Sequence, residues 1–511
     1  MALITTSWTF DMLTCVLCIL IGLYFYLSKN HNYWKNLGVR QIPPKFIFGN
    51  VASCVFGRQM PDELFRELYQ KADEERMIGF YVFNKPYLML CDPELIRHVL
   101  IKDFQNFSNK ILSVDDDDEL GKNSLFLVTN PPWNLIRKKL TPVFTSVKLK
   151  KMFELMIEIC QDFKDYLESF DIDDKIGKPL VVKEMCAQFA TDLIGTTAFG
   201  MNFNSLKDPN AEFRKHGRTV FRSDYKRYWE TLSMFFIPPL KLFTKPKFFD
   251  GDGSIFLRNT FWEVINERIK TGIKRFDLID LLVEIKKNQE TDPSETLKLE
   301  GDALVAQAAI FFTGGFESSS STTTLALYEL AMNSEIQKQL REEVLSGLQK
   351  TNGNITYDLV TSLPYLDAIV HETLRLYPIL PWLDRVSESE YTFPGTNVVI
   401  EKGTPIMLPM RRLHMDPKYF PDPEVFMPER FLEENRKNIV PFTYFPFGEG
   451  PRNCIGSRLG LIQVKLGLII IISKYELTPC AQTPSPMKFD DLNILIQSPA
   501  GLQLNFRKLA S

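Results

Sequence analysis

An excess of positive charge is the first thing this chain lacks. Its 60 lysines and arginines are outnumbered by 63 acids, for a net charge of -3. No basic cluster reaches the size of a nucleic-acid arm, so no nucleic-acid partner is expected. A disulfide framework is missing as well. Of the eight cysteines, Cys15 and Cys18 lie in the first apolar segment and the others are scattered without C-x-x-C spacing, which suits reduced thiols. There is no internal repeat, no low-complexity segment, and no basic n-region or small-residue cleavage site of a secretory signal. At 511 residues, length alone leaves one large domain or two open.

What is present begins with an apolar run, residues 12–27 (MLTCVLCILIGLYFYL), which Trp8 and Phe10 extend past the single charge of Asp11. With Lys29, Lys35 and Arg40 behind it, the run predicts a membrane anchor over residues 1–28, its C-terminal bulk on the cytosolic side. Pro43 and Pro44 then mark a stiff linker over residues 29–50, ahead of one catalytic domain, 51–511. The alternating, aromatic string 80–90 reads as strand and turn, and 92–100 as a short helix, so a small sheet is expected near the N-terminus. The acidic run 115–119 reads as a solvated loop, not a metal site.

Helical signals follow. Trp133 and Arg137 share one face of a helix that Pro131 and Pro132 would start. Residues 171–178 form a polar break, 235–249 a connector, and 257–285 a helix-like stretch. The longest candidate, 303–330, contains Gly314 and Gly315, each costing about 1 kcal/mol against alanine in a helix interior. Two compensations are open: close helix packing on the glycines, or a locally opened turn against a small molecule. Glu372 and Arg375 lie three apart on a helix that ends before Pro378, and partial burial would require their pairing. Arg430, in a proline-stiffened loop, is placed to join them. Residues 391–400 read as strand, turn, strand.

Residues 445–456 (FPFGEGPRNCIG) set one cysteine, Cys454, just before a helical-looking run. The helix dipole and unpaired backbone N–H groups there favour the thiolate, the form that ligates metals, and haem iron is one acceptor of such a ligand.

Together these motifs resemble the cytochrome P450 family of haem-thiolate monooxygenases over nearly the whole chain. The signature FxxGxRxCxG is met by Phe447, Gly450, Arg452, Cys454 and Gly456. The resemblance implies a mainly α fold, a large helical domain with a small N-terminal β-rich region, preceded by a transmembrane anchor helix. It implies haem b (iron protoporphyrin IX) with Cys454 as axial ligand of the iron, Phe447 shielding the sulfur, and Gly456 completing the loop. Arg452, Trp133, Arg137 and Arg385 correspond to propionate partners. Glu372, Arg375 and Arg430 correspond to a structural salt-bridge triad, and Gly315, Glu317 and Ser318 to the catalytic stretch in which an acid and an alcohol relay protons. Serine replaces the usual threonine there; it keeps the hydroxyl and lacks the methyl that fixes a rotamer.

Residues 140–153 and the start of the central helix resemble insect microsomal members. That implies an endoplasmic-reticulum enzyme facing the cytosol, fed with NADPH electrons by NADPH-cytochrome P450 reductase, with cytochrome b5 as a second candidate donor. O2 and small lipophilic compounds, such as plant toxins or insecticides, would be its substrates. The pocket would draw on residues 104–126, 201–240, Phe311, 379–383 and 496–502. Two rival classes share the cysteine loop: an enzyme that rearranges peroxides or dehydrates without a reductase, against which Glu317 and Ser318 argue, and a non-catalytic binder of lipophilic ligands.

Overall fold

Apolar residues recurring every three to four positions fold most of the chain into helices, which bury those faces against one another. The computed structural model describes residues 7–249, 251–291, 299–490 and 492–509. The chain divides into two compact units, Met1–Ile111 with Trp382–Arg412, and Leu112–Pro381 with Leu413–Ser511.

The first unit opens with the helix Trp8–Ser28, whose 21 residues have a mean hydropathy of 2.1 over its most apolar window, only 6% of it buried. At 1.5 Å per residue the helix is about 31 Å long, which matches the hydrocarbon thickness of a bilayer. Behind it lies a four-stranded sheet in the order Met77–Val82, Lys85–Leu90, Pro405–Leu408, Leu383–Val386. The middle pair is parallel and the outer pairs antiparallel. The string 80–90 thus spans a hairpin, turning at Phe83 with φ 55°. The stretch that carries Pro43 and Pro44 is hydrogen-bonded to this sheet: Gly79 N–H donates to Arg40 O (2.8 Å), Ile42 N–H to Gly79 O (3.1 Å) and Asn50 N–H to Tyr81 O (2.8 Å). A two-stranded ribbon, Tyr391–Thr392 with Val399–Ile400, turns at Gly395.

The second unit is helical around the central helix Asp302–Met332, 31 residues long and buried along most of its length. It packs most extensively on the helix Val182–Ile194, and also on Ser457–Lys474 and Pro364–Leu376. A three-stranded antiparallel sheet, Lys178–Val181, Gln503–Lys508, Tyr475–Thr478, lies in the same unit.

Two expectations are corrected here. The stretch 257–285 is not one helix: Gly251–Thr271 ends at Gly272, φ 69°, and Leu278–Thr291 starts anew. The acidic run 115–119 is not wholly solvated. Asp118 is buried, caps Glu119–Asn123 by accepting from Gly121 N–H (2.9 Å), and accepts Phe248 N–H at 2.6 Å. Burial pushes its carboxyl above the ordinary range, against these backbone donors. The anionic run therefore ties down the 235–249 connector, with Lys241 Nζ on Asp116 at 2.9 Å.

Candidate haem-thiolate site

Cys454 stands at the end of a tight loop whose shape depends on glycine. Gly448 and Gly450 have φ of 69° and 75°, a region open to glycine at little cost. The turn closes when Cys454 N–H donates to Phe447 O at 2.8 Å and Asn453 N–H to Gly450 O at 3.1 Å. These bonds bring Phe447 next to the cysteine and leave the thiol exposed. Gly456 is the N-cap of Ser457–Lys474, so the cysteine precedes the positive end of a helix dipole.

Cations gather around this loop. Arg137, on the helix Pro132–Leu140 beginning behind Pro131, donates to Asn453 O (2.8 Å) and Asn453 Oδ1 (2.7 Å). Burial lowers the Arg137 guanidinium from its ordinary value, and the nearby Cys454 works the other way. Arg452 donates to Val128 O at 2.9 Å and lies 4.3 Å from the Trp133 ring centroid, a cation–π contact that fixes its plane. Trp133, Arg137 and Arg452 thus meet at one place, two cations beside an exposed thiol.

Behind the loop, Glu372 and Arg375 are fully buried and paired twice, Nε to Oε2 at 2.8 Å and Nη2 to Oε1 at 2.7 Å. Arg430 Nε lies 3.5 Å from Glu372 Oε1, an ion pair longer than a good hydrogen bond. Arg375 also donates to His414 O (2.9 Å), Pro423 O (2.8 Å) and Val425 O (3.3 Å). His414, which the sequence reading passed over, completes the chain of contacts. Its Nε2 accepts Phe445 N–H at 3.1 Å while Nδ1 lies 3.3 Å from Arg375 O. The ring is therefore neutral, with its proton on Nδ1.

On the central helix the two glycines do different work. Gly314 is exposed midway along a helix whose neighbours are buried, and a Cβ there would meet nothing within 4 Å. A Cβ at Gly315 would lie 2.7 Å from Ile194 Cδ1. Gly315, expected with the catalytic groups, is thus a close-packing position against Val182–Ile194, and Gly314 carries the open face. The helix stays continuous through both, without the opened turn considered above.

A sequence model of the family "Cytochrome P450" matches residues 40–506. The chain belongs to the cytochrome P450 family. It is similar to "Cytochrome P450 6k1" of Blattella germanica, 39% identical with 98% of this chain and 97% of the relative covered. It is likewise similar to "Probable cytochrome P450 6g2" of Drosophila melanogaster, 42% identical with 95% and 96% covered. "Probable cytochrome P450 6a13" of the same fly is 39% identical, with 97% and 98% covered. The chain is accordingly a P450 monooxygenase with a haem iron cofactor and a redox partner that supplies electrons.

The donors in this P450 suit that cofactor. A single thiolate before the helix start suits an iron whose other ligands the cofactor itself supplies, as a porphyrin does. The paired cations Arg137 and Arg452 suit its carboxylates, and the open face at Gly314 leaves room for a flat group. Arg385 belongs to the first unit. Its guanidinium is buried, lowered to about 10 by desolvation, donates from Nη1 to Asp384 O at 2.6 Å, and has no partner for Nε among the described residues.

The acid and the alcohol of this P450 are not joined to each other. Ser318 Oγ donates to Gly314 O at 2.6 Å. The Glu317 carboxylate, buried, is held by Lys183 Nζ and by Ser321 Oγ at 2.9 Å. Lys183 and Ile194, on the helix packed against these residues, are the other functional neighbours that sequence reasoning missed.

Proposed function

We propose that this P450 is an endoplasmic-reticulum monooxygenase, anchored by Trp8–Ser28 with its catalytic bulk in the cytosol. It takes NADPH electrons through NADPH-cytochrome P450 reductase, with cytochrome b5 as a second donor. It inserts one atom of O2 into small lipophilic compounds, xenobiotics such as plant toxins or insecticides. The observation that carries this reading is the exposed Cys454 thiol in a glycine-shaped loop ringed by Arg137, Arg452 and Trp133. Bound there, a haem whose iron takes the thiolate supplies oxygen-activating chemistry, the thiolate favouring O–O cleavage.

The chain's own residues do the rest in this reading. Arg137 and Arg452 bind the cofactor's carboxylates, and Phe447 covers the sulfur. The glycine face of the central helix admits substrate and oxygen. Aromatic pairs supply an apolar wall: Phe144 stacks on Phe311 with centroids 5.4 Å apart, and Phe126 lies 6.1 Å from Phe235 and 6.2 Å from Phe248. Such linings favour ligands that bury carbon. Ser318 and Glu317 hold and pass the protons that oxygen reduction consumes.

Product formation with purified reductase tests the assignment. Oxygenated product that depends on NADPH supports it. Turnover without NADPH marks a rearranging enzyme instead, and a spectral shift with neither marks a binder. Ser318→Ala is expected to raise NADPH oxidised per product severalfold; unchanged coupling removes Ser318 from proton delivery.

A further inference from the structure

Beyond the end of the anchor helix lies a cavity of about 200 Å³ whose polar lining comes from Asn30, Tyr33, Lys85, Glu401, Lys402 and Thr404. It is smaller than the ~300 Å³ at which pockets for drug-sized ligands begin. At ~30 Å³ per water it has room for about seven waters, or for one small polar group. Every one of these residues belongs to the first unit.

The cavity is held at a fixed height above the apolar span. Asn30 stands two residues past the end of Trp8–Ser28, and the chain there is tied to the sheet. Asn30 Nδ2 donates to Asn84 O at 3.0 Å, in the turn of the hairpin that Lys85–Leu90 completes. Gln41 Nε2 donates to His31 O at 3.0 Å, and its Oε1 accepts from the Tyr81 hydroxyl at 2.7 Å. Trp34, next to Tyr33, is fully buried over Gly79, where a Cβ would collide with its ring. The opposite wall is a closed turn. Gly403 takes φ 86° and donates its N–H to Ser387 O at 2.8 Å. Thr404 N–H donates to Ser387 Oγ at 3.0 Å, and Thr404 Oγ1 to Glu401 O at 2.7 Å. A site so close behind a helix that matches the hydrocarbon thickness lies where lipid headgroups begin.

Its charges are unpaired within the protein. Neither Lys85 nor Lys402 has an ion pair or hydrogen-bond acceptor for its ammonium among the described residues, and Glu401 has no cation there. Burial alone lowers Lys85 from its ordinary value, a penalty that a bound anion offsets. Burial also raises the Tyr33 phenol, and Glu401 adds to the rise. The Tyr33 hydroxyl therefore stays protonated and free to donate.

We propose that this cavity binds the headgroup of a phosphatidylethanolamine in the leaflet at the C-terminal end of the anchor. Lys85 and Lys402, with the Tyr33 hydroxyl, hold the phosphate, and Glu401 accepts from the primary ammonium. Two cations and one carboxylate complement a group that carries one phosphate and one ammonium. A trimethylammonium has no N–H to give Glu401, and a headgroup with hydroxyls alone leaves that carboxylate without a cation. A headgroup held there fixes which face of the first unit meets the bilayer. The inference rests on Trp8–Ser28 spanning a membrane, as read above.

The test uses full-length holoenzyme in nanodiscs of phosphatidylcholine, with phosphatidylethanolamine or phosphatidylglycerol mixed in. Native mass spectrometry after release from the disc identifies the lipid retained. The parent is expected to keep phosphatidylethanolamine severalfold over the other two. Lys85→Ala/Lys402→Ala should lose that lipid, and Glu401→Gln should keep phosphatidylethanolamine and phosphatidylglycerol alike. Lys71→Ala, on the helix Pro61–Ala72 outside the cavity, should match the parent. An unaltered carbon-monoxide spectrum in each variant shows that a lost lipid is not a lost fold. Equal retention of the three lipids by the parent, or undiminished retention by the double lysine variant, overturns the site. A preference that survives in Glu401→Gln overturns the choice of lipid. Glycerophosphoethanolamine separates the membrane from a soluble source: displacement of the retained lipid supports the headgroup site, whereas binding of this compound with no lipid ever retained overturns the membrane source. Extraction with alkaline carbonate checks the anchor on its own. A chain stripped from vesicles has no span, and the anchor reading falls with the site; a chain that resists stripping but shows no lipid preference loses the site alone.

Discussion

Cys454→Ala is expected to abolish both the thiolate-type Soret band of the reduced, carbon-monoxide-bound protein and all oxygenated product. Among the described residues no other cysteine lies in this loop, and Cys54 and Cys91 are buried. Cys160 and Cys186 are buried, with thiols pushed up to about 12 by desolvation, so the ligating thiolate is disfavoured there. Cys480 lies in a turn, its backbone N–H on Thr483 Oγ1 at 2.9 Å. Cys15 and Cys18 belong to the anchor helix. The absorption spectrum decides the matter before any substrate is known. A normal band in Cys454→Ala would remove this residue from the iron.

Arg375→Met is expected to be the most damaging change away from the thiolate. It strands Glu372, fully buried, without its bidentate cation and takes a donor from three backbone carbonyls. Breaking a buried pair from one side costs about 3–5 kcal/mol, and a typical native state is stable by only about 5–15 kcal/mol. Little folded, haem-loaded protein should accumulate. Arg430→Met should cost less, because its guanidinium stands 3.5 Å from Glu372 and also donates to Asp422 O at 3.0 Å at the exposed side. Glu372 keeps Arg375 in that variant. Yields of folded protein and unfolding midpoints rank the two, and equal losses would contradict the geometry.

Local chemistry made some of this legible in the sequence. The FxxGxRxCxG spacing marked the cysteine loop, the i,i+3 rule paired Glu372 with Arg375, and the apolar run 12–27 predicted the helix Trp8–Ser28. What stayed hidden is non-local. Nothing near Lys183 names Glu317 as its partner, and Ile194 shows only in space why Gly315 has no side chain. The return of residues 382–412 to the N-terminal sheet rests on Leu88 pairing with Ile406, a choice that alternation of residues cannot reveal. The acidic run misled because like charges usually repel into solvent, whereas Asp118 found backbone donors at Gly121 and Phe248. Gly272 was a visible helix stop that the apolar periodicity of 257–285 outweighed.

His414 couples the thiolate loop to the helix that carries the buried ion pair. Its Nε2 holds Phe445 N–H while Nδ1 lies against Arg375 O, so one side chain ties the loop to the end of Pro364–Leu376. A change that shifts that helix end therefore reaches the loop without touching Cys454.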